Sequence, residues 1–499
     1  MKVKTIIEKK LLNNPKRAVR LVTAFSDRYW QKLGEKLVLK SFYKTFNNVP
    51  AYKDFLKKEG IKNPEKIQNI QDFKKYVPIT TKENYINKYP LSARCKQSAE
   101  IPFALSTSGG TTGKPILQAH ANEEFDPLAI QIYLEYLLDL SEKKVLYINA
   151  FALGSWYGGI VSTFLGHSIA KNKRYKITVS LCGLEPKIIL NIIEAIGKEY
   201  DLIIISTYPS FFRLILQEAK NRQFPIQNYP IIPLCSGELF TWNFKQFLAQ
   251  KLSLNLLCEL IDMYGATDVG IIGISTPLSL LIQEKIASKK ISISSIQSEC
   301  FSLLQYNPAI NYIEEVSNEL VITRNFDAVQ VPLIRYRIKD SGGLISFEKL
   351  YNQELKEELK QRGFSKKPIK WPFIFIQGRT DQAVILLGAN IYPQQIKNIL
   401  EKVGNNLFNN FKIGVENTEK PRFTICLELL PNISLNKINL EQTRDKYHKI
   451  FLEELLKDLD FKDAYQKAPE FLDPLVRIYP FKEGPFSQEI KTKPKYLIQ

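Results

Sequence analysis

The chain has 499 residues, 44% of them hydrophobic and 24% charged, with 69 Lys and Arg against 51 Asp and Glu, a formal charge of +18. This is globular composition, and it excludes collagen-like, coiled-coil, disordered and disulfide-miniprotein chains. The length allows about three domains, or one large unit and a smaller one.

The positive charge is concentrated at the start: residues 1–100 hold 23 Lys and Arg and 9 Asp and Glu, so 23 − 9 = +14 of the +18. No aromatic–basic repeat or zinc finger accompanies it, so the lysines are read as a solvated helical face and no specific nucleic-acid partner is expected. The six cysteines include no Cys-x-x-Cys pair and the three histidines no His-Glu-x-x-His, which argues for free thiols and against zinc. Met1–Lys40 lacks the uninterrupted apolar stretch of a signal peptide. Val145–Ala170 carries no charged side chain, but Asn149, Gly154, Ser155, Gly158, Gly159, Gly166 and His167 make it a strand, a glycine loop and a buried helix rather than a transmembrane segment. A soluble, cytoplasmic protein is expected.

Residues 1–95 read as helices, with turn signals at Asn14-Pro15, Val49-Pro50 and Asn63-Pro64. From about residue 100, short β-branched runs alternate with helical periods. Val145–Phe151, Ile177–Leu181, Leu202–Ser206, Ile231–Leu234 and Leu254–Leu260 are predicted as buried strands. Ile188, Ile189, Ile192, Ile193 and Ile196 mark one intervening helix, and Phe211, Phe212, Ile215 and Leu216 another. Such alternation implies βαβ units and mostly parallel, layered sheets. Leu320–Thr323 to Ile345–Phe347 reads as antiparallel pieces or a small barrel-like part, followed by a charged helical insert at Glu348–Arg362. A new βα pattern begins near Ile374. The expected fold class is therefore α/β, with a large domain over residues 1–377 and a smaller α+β domain over 378–499. The boundary lies at residues 378–381.

The densest chemical signal is Leu105-Ser-Thr-Ser-Gly-Gly-Thr-Thr-Gly-Lys-Pro115. Glycines let backbone N–H groups converge, and hydroxyls with Lys114 add donors suited to a polyphosphate. Lys114 is followed by Pro115, so this is not a Walker A loop.

In this loop the sequence resembles the adenylate-forming superfamily of acyl-CoA synthetases and related ligases. Its phosphate loop corresponds to Ser108, Gly109, Gly110, Thr111, Thr112, Gly113 and Lys114, with Gly109 where the family usually has Ser or Thr. Met263-Tyr-Gly-Ala-Thr-Asp268 is similar to the family's Tyr-Gly-x-Thr-Glu element. The resemblance implies that Tyr264 stacks on adenine beside Gly265, that Thr267 bonds phosphate and that Asp268 holds Mg²⁺, with Asp one methylene shorter than the usual Glu. Ser236-Gly237-Glu238 resembles the turn along the adenine, and Ile334–Asp340 the element whose last carboxylate, here Asp340, accepts both ribose hydroxyls. Gly378-Arg379-Thr380-Asp381 and Gly388–Pro393 resemble the hinge and first strand of a mobile C-terminal domain, with Gln395 where the family has Glu. The family's catalytic lysine follows a glycine near the C-terminus; here no Gly-Lys pair occurs, and Lys491 and Lys493 are the candidates.

Val49-Pro-Ala-Tyr52 and Phe73–Lys82 place the likeness nearest the phenylacetate–CoA ligase and capsular-polysaccharide-ligase-like branch. The resemblance implies ATP, Mg²⁺ and CoA as cofactors. Its reaction is activation of a small carboxylate as acyl-adenylate with release of pyrophosphate, then transfer to a thiol, in an AMP-forming carboxylate–CoA ligase. Three alternatives remain: an adenylyl or acyl transferase with an acceptor other than CoA, a catalytically weakened scaffold of the same fold, or a nucleic-acid-binding protein using the basic N-terminus. Asn149–Gly159, with Phe151, Trp156 and Tyr157, is a candidate wall for an apolar carboxylate. The oligomeric state is not readable from the sequence.

Overall fold

The computed structural model describes residues 14–61, 63–97, 102–108, 116–124, 128–296, 301–379, 383–403, 407–416, 421–431, 433–435 and 438–487. The chain divides into two compact units, the second consisting mainly of residues after Gly378. The architecture is a large mixed-sheet α/β unit followed by a smaller α+β unit.

The N-terminal region is helical because its polar residues cap. Asn14 Oδ1 accepts from the Arg17 amide ahead of Pro15–Ala24, and Ser26 does the same for Tyr29 at the start of Asp27–Asn48. Pro15, Pro50 and Pro64 each stand in a first helical turn, where the missing N–H costs nothing. The Asn-Pro and Val-Pro signals are thus helix starts.

The β-strands are β1 (Ala104–Ser108), β2 (Ile116–His120), β3 (Lys144–Asn149), β4 (Lys176–Leu181), β5 (Leu202–Thr207), β6 (Ile231–Ser236), β7 (Ile261–Ala266), β8 (Gly270–Ile274), β9 (Ser302–Gln305), β10 (Asn311–Val316), β11 (Glu319–Arg324), β12 (Tyr336–Ile345) and β13 (Phe373–Arg379). β1 and β2 form a two-stranded ribbon, and the others one sheet in the order β10-β11-β12-β13-β9-β8-β7-β6-β5-β3-β4. The pairs β3/β4, β3/β5, β5/β6 and β6/β7 are parallel. Beyond β7 the pairs β7/β8, β8/β9, β9/β13, β10/β11 and β11/β12 are antiparallel, so the antiparallel pieces expected around 320–347 extend this same sheet.

β5 is buried at all six positions, as a parallel strand covered on both faces must be, whereas the edge strand β4 alternates between partly buried and exposed. Helix Pro186–Ile196 buries Ile189, Leu190 and Ile193, and leaves Ile188 at 47% exposure. Ile204, Ile232, Leu234, Ile261 and Met263 join one apolar core behind the strands.

One expected strand is absent. Leu254–Leu260 is a turn: the Asn255 carbonyl accepts from the Cys258 and Glu259 amides, and Glu259 Oε2 accepts from the Asn255 amide at 2.7 Å. Leu257 and Leu260 are buried without strand pairing, and β7 begins only at Ile261. The five cysteines among the described residues are free thiols. Among those residues no helix is long and apolar enough to cross a membrane.

In the smaller unit, β16 (Phe408–Glu416) runs antiparallel to β17 (Arg422–Leu429), which pairs in parallel with β18 (Leu475–Tyr479). The hairpin β14 (Val384–Leu386) and β15 (Ala389–Ile391) precedes them. Helix Leu440–Leu455 packs beside β18, and Ile413, Phe423, Ile425, Leu427 and Phe451 form the buried core.

Candidate active site

The parallel strands point their C-terminal ends one way, and side chains at the ends of β5, β6 and β7 gather there, where open α/β sheets hold ligands. Ser236 at the end of β6 is registered against Met263 on β7, which places Gly237 beside Tyr264. Gly237 has φ +86, and a Cβ there would stand 3.0 Å from the Tyr208 ring that follows β5. The turn Ser236-Gly237-Glu238 therefore admits only glycine at its centre without strain.

Across the site, β12 brings the second motif. Tyr264 Oη donates to Asp340 Oδ2 at 2.5 Å, joining residues 76 positions apart, and Asp340 is 7% exposed. Arg335 and Lys339 in this motif have φ of +47 and +63, a left-handed backbone that non-glycine residues adopt only where their surroundings enforce it. For Arg335 the enforcement is visible. Its guanidinium forks onto Glu314 with two 3.0 Å hydrogen bonds and donates to the carbonyls of Lys74 and Val77. Thr80 stitches the same segment through its hydroxyl to the Ile334 carbonyl at 2.9 Å. Burial pushes the Glu314 carboxyl up, and the Arg335 charge opposes that shift.

Thr267 and Asp268 lie in the tight turn between β7 and β8, closed by the Val269 amide on the Ala266 carbonyl at 3.0 Å. Asp268 Oδ2 accepts from Tyr336 Oη at 2.7 Å and lies 3.5 Å from Lys82 Nζ. Its side chain is only 8% exposed, yet Oδ1 is buried with no hydrogen-bond partner among the described residues. Buried carboxylate oxygens are normally paired, so an unpaired one is an open coordination position. Arg94, 4% exposed, adds a second cation to this neighbourhood; burial pushes its guanidinium down, opposed by Tyr85 and Asp268.

Asp268 fits Mg²⁺, which takes one or two carboxylates and completes its shell with phosphate oxygens and water. Among the described residues no cluster of three or more His, Cys, Asp or Glu offers an all-protein cage.

Of the other sequence candidates, Ser108 ends β1, Gly265 lies in β7, and Glu238 is half-buried in its turn. Arg379 ends β13, immediately after Gly378 with φ +121. Gly109, Gly110, Thr111, Thr112, Gly113, Lys114, Asp381, Lys491 and Lys493 lie outside the described residues. Asn149, a candidate pocket residue, has its side chain occupied: it donates to the Gly159 carbonyl at 2.9 Å and accepts from the Phe151 amide at 3.1 Å. It shapes the loop from within. Phe151 is 2% exposed and packs edge-on against Tyr208.

Sequence reasoning missed Lys82, Tyr336 and Gln118 as partners of Asp268; Gln118 Nε2 donates to the Asp268 carbonyl at 3.3 Å. Lys82 and Tyr336 stood inside quoted motifs, but nothing in their spacing pairs them with an aspartate far along the chain.

No protein-family model matches the chain. It is 21% identical over 360 residues to a phenylacetate-coenzyme A ligase of Aromatoleum evansii, covering 72% of each chain. It is also 21% identical over 361 residues to a phenylacetate-coenzyme A ligase of Pseudomonas putida, again covering 72% of each. A crystal structure of 2-hydroxyisobutyryl-CoA ligase in complex with 2-HIB-AMP and CoA matches with a TM-score of 0.58 at 14% identity, over 95% of this chain and 89% of that one. At that identity the likeness is one of fold.

Proposed function

The chain is related to the adenylate-forming superfamily, and from that premise we propose that it activates a small carboxylate with ATP and passes the acyl group to the thiol of CoA. A carboxylate oxygen attacks the α-phosphorus, the bond to the bridging oxygen breaks, and pyrophosphate leaves. The thiol then loses its proton as its sulfur attacks the acyl carbon, the acyl C–O bond of the mixed anhydride breaks, and AMP leaves with that electron pair.

The observation that carries this reading is the convergence of the 264–268 and 334–340 segments through the Tyr264–Asp340 and Tyr336–Asp268 hydrogen bonds. Asp340 would accept the ribose hydroxyls, with its carboxylate oriented by the Tyr264 hydroxyl. The ring of Tyr264 and the Gly237 turn would flank the adenine, with Glu238 and Gly265 completing that wall. Thr267 would donate to phosphate, as would Ser108 through Lys114. Asp268 would hold Mg²⁺, which when bound neutralises phosphate charge. Lys491 or Lys493 would reach the reacting phosphate, and Arg379 with Asp381 would form the hinge at residues 378–381. We place the domain boundary there, between 1–377 and 378–499.

The test is exchange of radiolabelled pyrophosphate into ATP across a panel of aryl, alkyl and hydroxy carboxylates, without and with CoA. Carboxylate-dependent exchange without CoA supports adenylation, and thioester formation on adding CoA supports the acceptor. No exchange with any carboxylate contradicts the reading. Lys491→Ala and Lys493→Ala, made separately, are expected to give one severe loss in the first half-reaction; two silent variants would remove both lysines from the chemistry.

A further inference from the structure

Ser106 on β1, His120 at the end of β2 and Glu124 in the short turn Asn122–Glu124 form a file of buried polar side chains. Ser106 Oγ is 2.7 Å from His120 Nε2, and His120 Nδ1 is 3.0 Å from Glu124 Oε2. Ser106 and His120 are 0% and 1% exposed, and the Glu124 side chain 5%. Glu124 Oε1 accepts from the Ala121 and Gln330 amides, each at 2.9 Å. Burial would push the Glu124 carboxyl up, but the His120 ring, the Arg324 guanidinium and the Ala121 amide together hold it below its ordinary value. It is therefore a carboxylate, which only accepts. His120 Nδ1 must then carry a hydrogen, and in the neutral ring Nε2 accepts from the Ser106 hydroxyl, an assignment made from the network.

The file continues. Arg324 Nη1 lies 3.7 Å from Glu124 Oε2 and donates to the Val269 carbonyl, one residue past Asp268. Gly270 makes room for it, since a Cβ there would stand 1.9 Å from Arg324 Nη1. Gln118, between these residues on β2, donates to the Asp268 carbonyl. Two independent polar routes thus run from the β1–β2 ribbon to the turn that carries Asp268.

A serine, a histidine and a carboxylate at these distances have the geometry of a nucleophilic triad. Here the serine oxygen is enclosed, and no carbonyl of a substrate can reach it. The buried, hydrogen-bonded Ser106–His120–Glu124 file fixes orientation instead.

We propose that Ser106, His120, Glu124 and Arg324 form a positioning spine that sets β1 and β2 against the Asp268 turn. This rests on the reading that these segments serve one nucleotide. His120 and Glu124 act through the ribbon and the turn; neither touches the reacting atoms. The placement of the β1–β2 ribbon against the carboxylate proposed to hold the metal would follow from this spine.

The test uses the full chain with His120→Leu, which removes both hydrogen bonds, and His120→Gln, whose amide can donate to Glu124 and accept from Ser106. Glu124→Gln stands in should His120→Leu fail to fold. Hydrogen exchange without nucleotide should show peptides of β1–β2 and of residues 264–270 losing protection together in His120→Leu, with β5 and β6 unchanged. The KM for ATP should rise at least tenfold and the KM for the carboxylate stay within twofold, and His120→Gln should recover most of both effects. Loss of protection confined to β1–β2, an unchanged ATP KM, or labelling of Ser106 by a fluorophosphonate in the unmodified protein would overturn the proposal. The exchange arm needs no nucleotide, so its failure is distinguishable from absence of adenylation in the unmodified protein.

Discussion

Two aspartates six residues apart on one segment are treated in opposite ways. Asp262 on β7 receives Lys245 Nζ at 2.7 Å, and the same ammonium donates to Gln283 Oε1 at 2.8 Å, with Lys245 fully enclosed. Burial pushes the Lys245 ammonium down and Asp262 opposes it. Asp268 in the following turn accepts from Tyr336 Oη, lies 3.5 Å from a partly exposed Lys82, and keeps one buried oxygen without a hydrogen-bond partner among the described residues. The first pair is closed and holds the sheet to its helix. The second is left incomplete where the proposed nucleotide would complete it. A saturated buried ion pair marks scaffold, and an unsaturated one marks a site.

The comparison breaks if the two aspartates respond alike. Lys245→Met leaves Asp262 buried without its cation and is expected to cost about 3–5 kcal/mol of stability, read by urea unfolding of the intact chain. A loss well below that would mean Asp262 relaxes to water. Asp268→Asn should do the reverse. The amide keeps a partner for Tyr336 and loses the charge, so stability should change little. The Mg²⁺ concentration needed for pyrophosphate exchange should rise about tenfold or more, the scale of one charged hydrogen-bonding interaction. An unchanged Mg²⁺ requirement would place the ion elsewhere.

A smaller effect sharpens the picture on the acid side. The folded protein holds Glu124 below its ordinary value of 4.5, so its contribution to stability is complete above that pH and is lost as the pH falls through the lower, folded value. Glu124→Gln should therefore flatten the fall in stability below about pH 4.5. An identical acid limb in the variant and the unmodified protein would mean that Glu124 titrates normally.

The parallel half of the sheet was legible because strands buried on both faces must be written as near-continuous apolar runs, and Leu202–Thr207 is one. The same rule misled at Leu254–Leu260, where leucines of similar density are buried by a turn that Asn255 and Glu259 close. Residue type carried the motifs around Tyr264 and Asp340, but their mutual hydrogen bond was not legible, since pairing across 76 residues is set by the order of β7 and β12 in the sheet. The contact between Ser106 and His120 was not legible for the same reason. Ser106 lies only 14 residues away, but the pairing of β1 with β2 that brings them together is set by the fold. The left-handed backbone at Arg335 and Lys339 has no sequence signature, because neither residue favours it.

The most direct measurement is a calorimetric titration of the intact protein with MgATP, set beside Asp340→Ala. The account predicts saturable binding to the unmodified chain and a roughly tenfold or greater loss of affinity when the buried carboxylate that accepts from Tyr264 is removed. No uptake of nucleotide by the unmodified chain, or equal affinity in the variant, would contradict it.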